Sequence, residues 1–170
     1  MSGMRGSDAE VIIPMKGTPR FKEYANTTTL AIDAREKDYL YIEESRIPGA
    51  GKGLFTAIPI YKDEVISIFK GETLSDNEAQ NRAAQGEDAY FMNMPDGTIL
   101  DSLHAKCFAK YANDASGAVK TGFRNNAHIT LDEKGAVCIV ANRKIKAGEE
   151  IYCAYGAGYW KKRAATGDAG

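Results

Sequence analysis

The chain has no apolar stretch near the length needed to cross a bilayer, and Met1 to Glu10 are polar and glycine-containing, without the apolar centre of a signal peptide. An intracellular protein with no membrane partner is expected. Neither sign of charge is in excess: 22 Lys plus Arg stand against 23 Asp plus Glu in 170 residues, a net charge of -1. No global field then draws the chain to nucleic acid, and no direct nucleic-acid partner is expected. Cysteine and histidine are scarce. Cys107, Cys138 and Cys153 are odd in number and lie 31 and 15 positions apart, a pattern that builds neither a disulfide framework nor a four-ligand zinc site. Only His104 and His128 could add ligands, so no metal is expected.

Two common chemistries are missing as well. Gly49-Ala50-Gly51-Lys52-Gly53 has neither the spacing of a phosphate loop nor the Ser or Thr that would hold magnesium, and Ile58-Pro59-Ile60 follows it where a helix N-terminus should stand. Read alone, it is a tight turn between strands. With two histidines, no Ser-His-Asp or Cys-His constellation can be assembled, and the cysteines, among apolar neighbours, read as buried small hydrophobes.

What is present is a chain of short strands. Tyr39 to Glu43 and Val65 to Phe69 carry strand patterns, and Tyr90 to Met94 with Thr98 to Leu100 flank Pro95-Asp96-Gly97. His128 to Leu131 and Ala136 to Ala141 flank Asp132-Glu133-Lys134-Gly135 in the same way, giving two hairpins. Ser75 with Glu78 forms a capping box for a helix over Asp76 to Gln85, stopped at Gly86. That helix has few large apolar residues, so it belongs on the surface. Before Lys37 no period is sustained, and turn formers interrupt the chain.

Near the C-terminus Tyr152, Tyr155, Tyr159 and Trp160 fall within nine residues, interleaved with Gly156 and Gly158. Aromatics on an irregular segment can wall a planar ligand or a cation, or they can cap the core. Both readings stand at this point.

Four blocks in order resemble the SET-domain family of protein lysine methyltransferases. They are Gly51-Lys52-Gly53-Leu54-Phe55; Val65 to Glu72, ending Phe69-Lys70-Gly71-Glu72; Ile99-Leu100-Asp101 with Lys110-Tyr111-Ala112-Asn113-Asp114-Ala115 and Asn125-Asn126-Ala127; and Ile145 to Gly156, carrying Gly148-Glu149-Glu150 and Tyr155-Gly156. The resemblance implies a mainly β fold of small curved sheets with a short helical insertion and a C-terminal segment threaded beneath a loop. It implies an N-terminal arm over 1–37, partly flexible, the SET domain over 38–160 and a tail over 161–170.

It further implies transfer of a methyl group from S-adenosylmethionine to a lysine side chain of a basic protein, with histone the family's commonest substrate. Localisation would be the nucleus in a eukaryote and the cytoplasm otherwise. Tyr155 matches the catalytic hydroxyl. Lys52, Gly53, Leu54, Asn113 and Asp114 match the cofactor-binding positions, with Gly53 permitting close approach. Trp160 would stack on adenine in place of the family's absent cysteine-rich cover, and Phe69 and Tyr111 would wall the lysine channel. Asp114 stands where the family has histidine, Phe69 where it has tyrosine, and Cys153 where it has the earlier tyrosine of the closing motif. These departures leave a second reading, a catalytically weak SET-like binding module. One further feature is local: seven acidic residues between Glu72 and Asp101 face a single arginine, Arg82, a net -6 that reads either as a solvated acidic surface or, as the resemblance implies for this segment, as one wall of a groove for a basic peptide.

Overall fold

The computed structural model describes residues 29–94, 96–117 and 120–154. They form two short helices, α1 (Glu36–Tyr39) and α2 (Asp76–Ala84), and nine strands, β1 (Leu40–Glu44), β2 (Lys52–Thr56), β3 (Val65–Ile68), β4 (Glu72–Leu74), β5 (Phe91–Asn93), β6 (Ile99–Asp101), β7 (Ala127–Leu131), β8 (Val137–Ala141) and β9 (Glu150–Ile151), with a 3-10 turn at Ala109–Tyr111. The strands make three antiparallel sheets of three, ordered β1-β2-β9, β3-β8-β7 and β4-β6-β5.

Local chemistry builds the outer pieces. In the β7–β8 turn the Asp132 carboxylate accepts from the Lys134 and Ala136 amides, both at 2.8 Å. In the β5–β6 turn Asp96 accepts from the Thr98 amide at 3.0 Å and hydroxyl at 2.7 Å. These carboxylates satisfy turn donors that water would otherwise have to reach. The capping box at Ser75 and Glu78 is complete, and Gly86 (φ 78°) takes the left-handed stop after Gln85. Only Ala79 of α2 is buried, so this helix is the expected surface insertion.

The central pieces are apolar. All five residues of β8, the middle strand of its sheet, are buried, and Leu54, Ile60, Ile66, Ile139, Ile145 and Ile151 are fully enclosed in one core. The three cysteines are free and buried, Cys107 and Cys153 in that core, and burial pushes the Cys138 thiol up to about 12, away from nucleophilic chemistry.

Built structure begins earlier than the expected arm boundary at Lys37. Thr29 is buried, Leu30 bridges Glu64 in parallel, and Ile32 packs on the core. The Glu36 carboxylate accepts from the Ser67 hydroxyl at 2.7 Å and the Ile68 amide at 3.0 Å. Backbone bridging and one carboxylate, not a run of apolar residues, anchor this stretch, which is why no hydrophobic period marks it. Tyr39, expected in the first strand, instead closes α1, and its hydroxyl donates to the Ile66 carbonyl at 2.9 Å.

The end of the described chain is clasped from two sides. The Cys153 amide donates to the Asn113 carbonyl at 2.8 Å, and the Tyr152 carbonyl accepts from the Asn126 and Ala127 amides at 3.0 Å each. Asn113 and Asn126 are the two ends of one loop, so β9 and the residues after it run beneath that loop, the expected threading.

Candidate cofactor edge

Three separate pieces of chain, 45–46, 113 and 150–152, meet at one buried carboxylate. Glu150, 1% exposed, accepts from the Ser45 hydroxyl at 2.7 Å, the Arg46 amide at 2.8 Å and the Tyr152 hydroxyl at 2.9 Å, with the Asn113 amide at 3.5 Å. A buried carboxylate is tolerable only with such a set of donors. Burial, then the neighbouring Glu150 carboxylate, raises the Tyr152 phenol well above the usual tyrosine value, so that phenol stays a donor.

Gly53 owes its identity to this group. A Cβ on Gly53 would lie 2.2 Å from the Glu150 Oε1 atom, so a side chain there would displace the carboxylate. The neighbour that excludes a side chain at Gly53 is thus Glu150, a group of the protein itself. The signal lay in plain view as Gly-x-Gly and Gly-Glu-Glu, but nothing in a linear reading joins position 53 to position 150.

Asn113 sits against the same edge. Its Nδ2 donates to the Lys52 carbonyl at 2.9 Å, which ties the 3-10 turn's exit to the start of β2. Among the described residues its amide oxygen has no hydrogen-bond partner, and so offers a fixed acceptor. Asp114 is buried, and its Oδ1 accepts from the Ser116 amide and hydroxyl and from Asn125 Nδ2, between 2.7 and 2.9 Å. The side chain that replaces the family's histidine is therefore spent on shaping the loop over the threaded segment.

The other expected positions fall in different places. Lys52 is exposed at this edge, whereas Leu54 is fully buried and paired on both sides of β2, a core residue by its side chain. Phe69 is 7% exposed inside the core, and Tyr111 packs half-buried against that same cluster. Tyr155 and Trp160 lie outside the described residues, which end at Ala154.

Sequence reasoning missed two organisers besides Glu150. Asn126 is 1% exposed, and its amide donates to the Glu150 carbonyl and accepts from the Tyr152 amide, both at 2.9 Å, acting as a piece of strand for the threaded segment. Lys110 is a buried ammonium that donates to the carbonyls of Ser102, Leu103 and Ala105 at 3.0 to 3.1 Å and lies over the Tyr90 and Tyr111 rings. Neither position differs in type from an ordinary polar residue, so only the fold reveals its role. Among the described residues no three His, Cys, Asp or Glu side chains are grouped as a metal site requires.

A family model described as SET domain matches residues 51–156. The chain is similar to the histone-lysine N-methyltransferase mes-2 of Caenorhabditis elegans, 39% identical over 70 residues, which are 39% of this chain and 9% of that protein. It is similar also to the histone-lysine N-methyltransferase SETD7 of Halocynthia roretzi, 33% identical over 57 residues, 34% of this chain and 15% of that protein. Among solved structures it resembles a humanized mutant of the Chaetomium thermophilum Polycomb Repressive Complex 2 bound to the inhibitor GSK126, with a TM-score of 0.55 and 24% identity over 69% of this chain and 15% of that one. The ctPRC2 structure in an autoinhibited conformation bound to S-adenosylmethionine gives a TM-score of 0.53 and 21% identity over 76% of this chain and 17% of that one. The likeness to these structures is one of fold, and the chain spans a small fraction of each of these four proteins.

Proposed function

The chain belongs to the SET-domain family, and from that premise we propose that it is an S-adenosylmethionine-dependent protein-lysine N-methyltransferase acting on a basic protein, with histone the first substrate to try. The observation that carries this reading is the Asn113 amide oxygen. It is held by the bond to Lys52 at the family's cofactor position and offers an acceptor suited to the ammonium of an amino-acid-like ligand. Both relatives named above are histone-lysine N-methyltransferases, which supports the same chemistry.

S-adenosylmethionine, when bound, supplies the electrophilic methyl group that the lysine amine attacks in line. The residues of this chain then have separable tasks. Asn113 and the main chain of Lys52 and Gly53 hold the amino-acid end, and Glu150 keeps those pieces in register. Asp114 contributes through its backbone, since its carboxylate is occupied by Ser116 and Asn125. By the family resemblance, Tyr155 would supply the hydroxyl that acts on the reacting methyl and amine, and Trp160 would cover adenine. Phe69 gives the lysine an apolar wall, which favours the neutral amine that can attack. A nuclear location in a eukaryote, or a cytoplasmic one otherwise, fits such a substrate.

The test is incubation with labelled S-adenosylmethionine and a panel of histones and other basic proteins, alongside calorimetric titration of the cofactor without added metal. Label on a lysine with micromolar to sub-millimolar binding is expected. Binding without label on any substrate would leave the binding-module reading, and no binding at millimolar cofactor would overturn both.

A further inference from the structure

A second recess lies away from the cofactor edge. It is a cavity of about 700 Å³ whose floor is made by Ile42 of β1 and by Cys107, Phe108 and Tyr111 around the 3-10 turn. None of the residues at the Glu150 cluster lines it. Its rim is cationic: Arg35, Lys37, Lys70 and Lys106 stand there with Glu36 as the one acid.

These charges are unequally satisfied. Arg35 is paired with Asp38 at 2.9 Å, and both Glu36 oxygens are taken by Ser67 and Ile68. Lys37, Lys70 and Lys106 are exposed and, among the described residues, make no ion pair or side-chain hydrogen bond. Three like charges around an apolar recess repel one another, and an anionic partner relieves that repulsion. The cavity's volume accommodates two or three side chains, and its rings and Ile42 side chain gain from being covered.

We infer that this cavity docks an acidic peptide segment of a partner protein, one that sets a large apolar side chain on the floor and its carboxylates against Lys37, Lys70 and Lys106. The rim cations come from three separate stretches of chain, so a ligand engaging them needs several carboxylates, and the floor needs an apolar anchor between them. A segment with both is amphipathic and acidic, the opposite charge to the substrate proposed above. The inference does not depend on methyl transfer.

The test is fluorescence anisotropy on the full chain with a labelled twelve-residue peptide in which Asp and Glu flank a Leu-Phe pair. Saturable binding is expected, weakening as salt rises. Replacing Leu-Phe by Ser-Gly should weaken it tenfold or more, and so should the Lys70→Glu/Lys106→Glu double variant. Reversal at Lys62 and Lys134, exposed lysines outside the cavity, should leave it within twofold. If the glutamate variant fails to fold, Lys70→Gln/Lys106→Gln should still lose binding severalfold. Equal binding without the apolar pair, indifference to both Lys70/Lys106 variants, or equal competition by single-stranded oligonucleotide would overturn the proposal.

Discussion

Two parts of the domain are cross-linked in opposite ways. In the unit of α2 with β4, β5 and β6, polar bonds join near neighbours: Ser75 with Glu78, three positions apart, and Asp96 with Thr98, two apart. At the cofactor edge they span 61 positions from Asn113 to Lys52 and 105 from Glu150 to Ser45. The first unit can take shape from adjacent residues, but the second exists only when both ends of the domain have met. Damage should therefore stay local in one and spread through the fold in the other.

The largest expected effect is at Glu150. Glu150→Ala strands the donors of Ser45, Arg46 and Tyr152 together, and each donor left unsatisfied in a buried site costs about 1–3 kcal/mol, so the summed loss should exceed that at any other position considered. Urea denaturation should show a lower midpoint with the whole domain unfolding earlier. Gly53→Ala, which collides with Glu150 in the native protein, should cost less in the Glu150→Ala background than alone. A loss under about 1 kcal/mol at Glu150, in the range of an ordinary hydrogen bond, would erase the contrast between the two regions.

Tyr155 follows the threaded segment directly, and its replacement separates fixing the edge from using it. Tyr155→Phe keeps the ring, so cofactor affinity by calorimetry should hold while turnover falls by roughly ten- to a thousandfold, the scale of a lost transition-state hydrogen bond. Unchanged turnover would move the catalytic role to another residue. A parallel loss of cofactor binding would make Tyr155 part of the scaffold.

Arg82 gives the corresponding measurement on the local unit. Its Nη1 donates to Asp101 at 2.6 Å and to Glu72 at 2.9 Å, tying α2 to β4 and β6. Asp101 is buried but keeps the Leu103 amide, so Arg82→Ala should cost about 1–3 kcal/mol, less than Glu150→Ala. Hydrogen exchange should rise in α2 and β4 to β6 before it rises in β8. Uniform exchange across the domain would mean that this unit is as globally coupled as the cofactor edge.

The same division decides what could be read from the sequence. The helix, its cap, its stop and both hairpins were legible because the residues that fix them stand within a few positions of one another. Asn113 and Gly53 were singled out only through family resemblance, as cofactor positions, and the internal partners the structure gives them, Lys52 and Glu150, lie too far along the chain for spacing to pair them. The stretch 29–37 was illegible because backbone pairing at Leu30 and the Glu36 carboxylate, not apolar periodicity, attach it. The basic cavity was hidden for a related reason: its four cations are scattered between Arg35 and Lys106 and gather only in the fold.

The smallest expected effect concerns the charge of the local unit. The net -6 between Glu72 and Asp101 is a real field, because hydrogen bonding occupies a carboxylate without neutralising it. Most of those acids are nevertheless committed to the protein: Glu72 and Asp101 to Arg82, Glu78 to the helix cap, Asp96 to its turn. Their geometry is fixed by structure, and so they act on a substrate at a distance more than by contact. Glu87 and Asp88 lie half-buried just after α2. A basic peptide substrate should then show a Michaelis constant that rises severalfold from low to physiological salt, with maximal turnover nearly constant, since screening weakens encounter and not the transfer step. Glu87→Gln/Asp88→Asn removes two of the charges and should lower that salt dependence by a modest fraction, leaving most of the field in place. Complete loss of the salt dependence would make Glu87 and Asp88 direct contacts of the substrate. A salt-insensitive constant in the unaltered protein, or equal use of acidic and basic lysine peptides, would mean that the acids of this unit serve its own turns and caps alone.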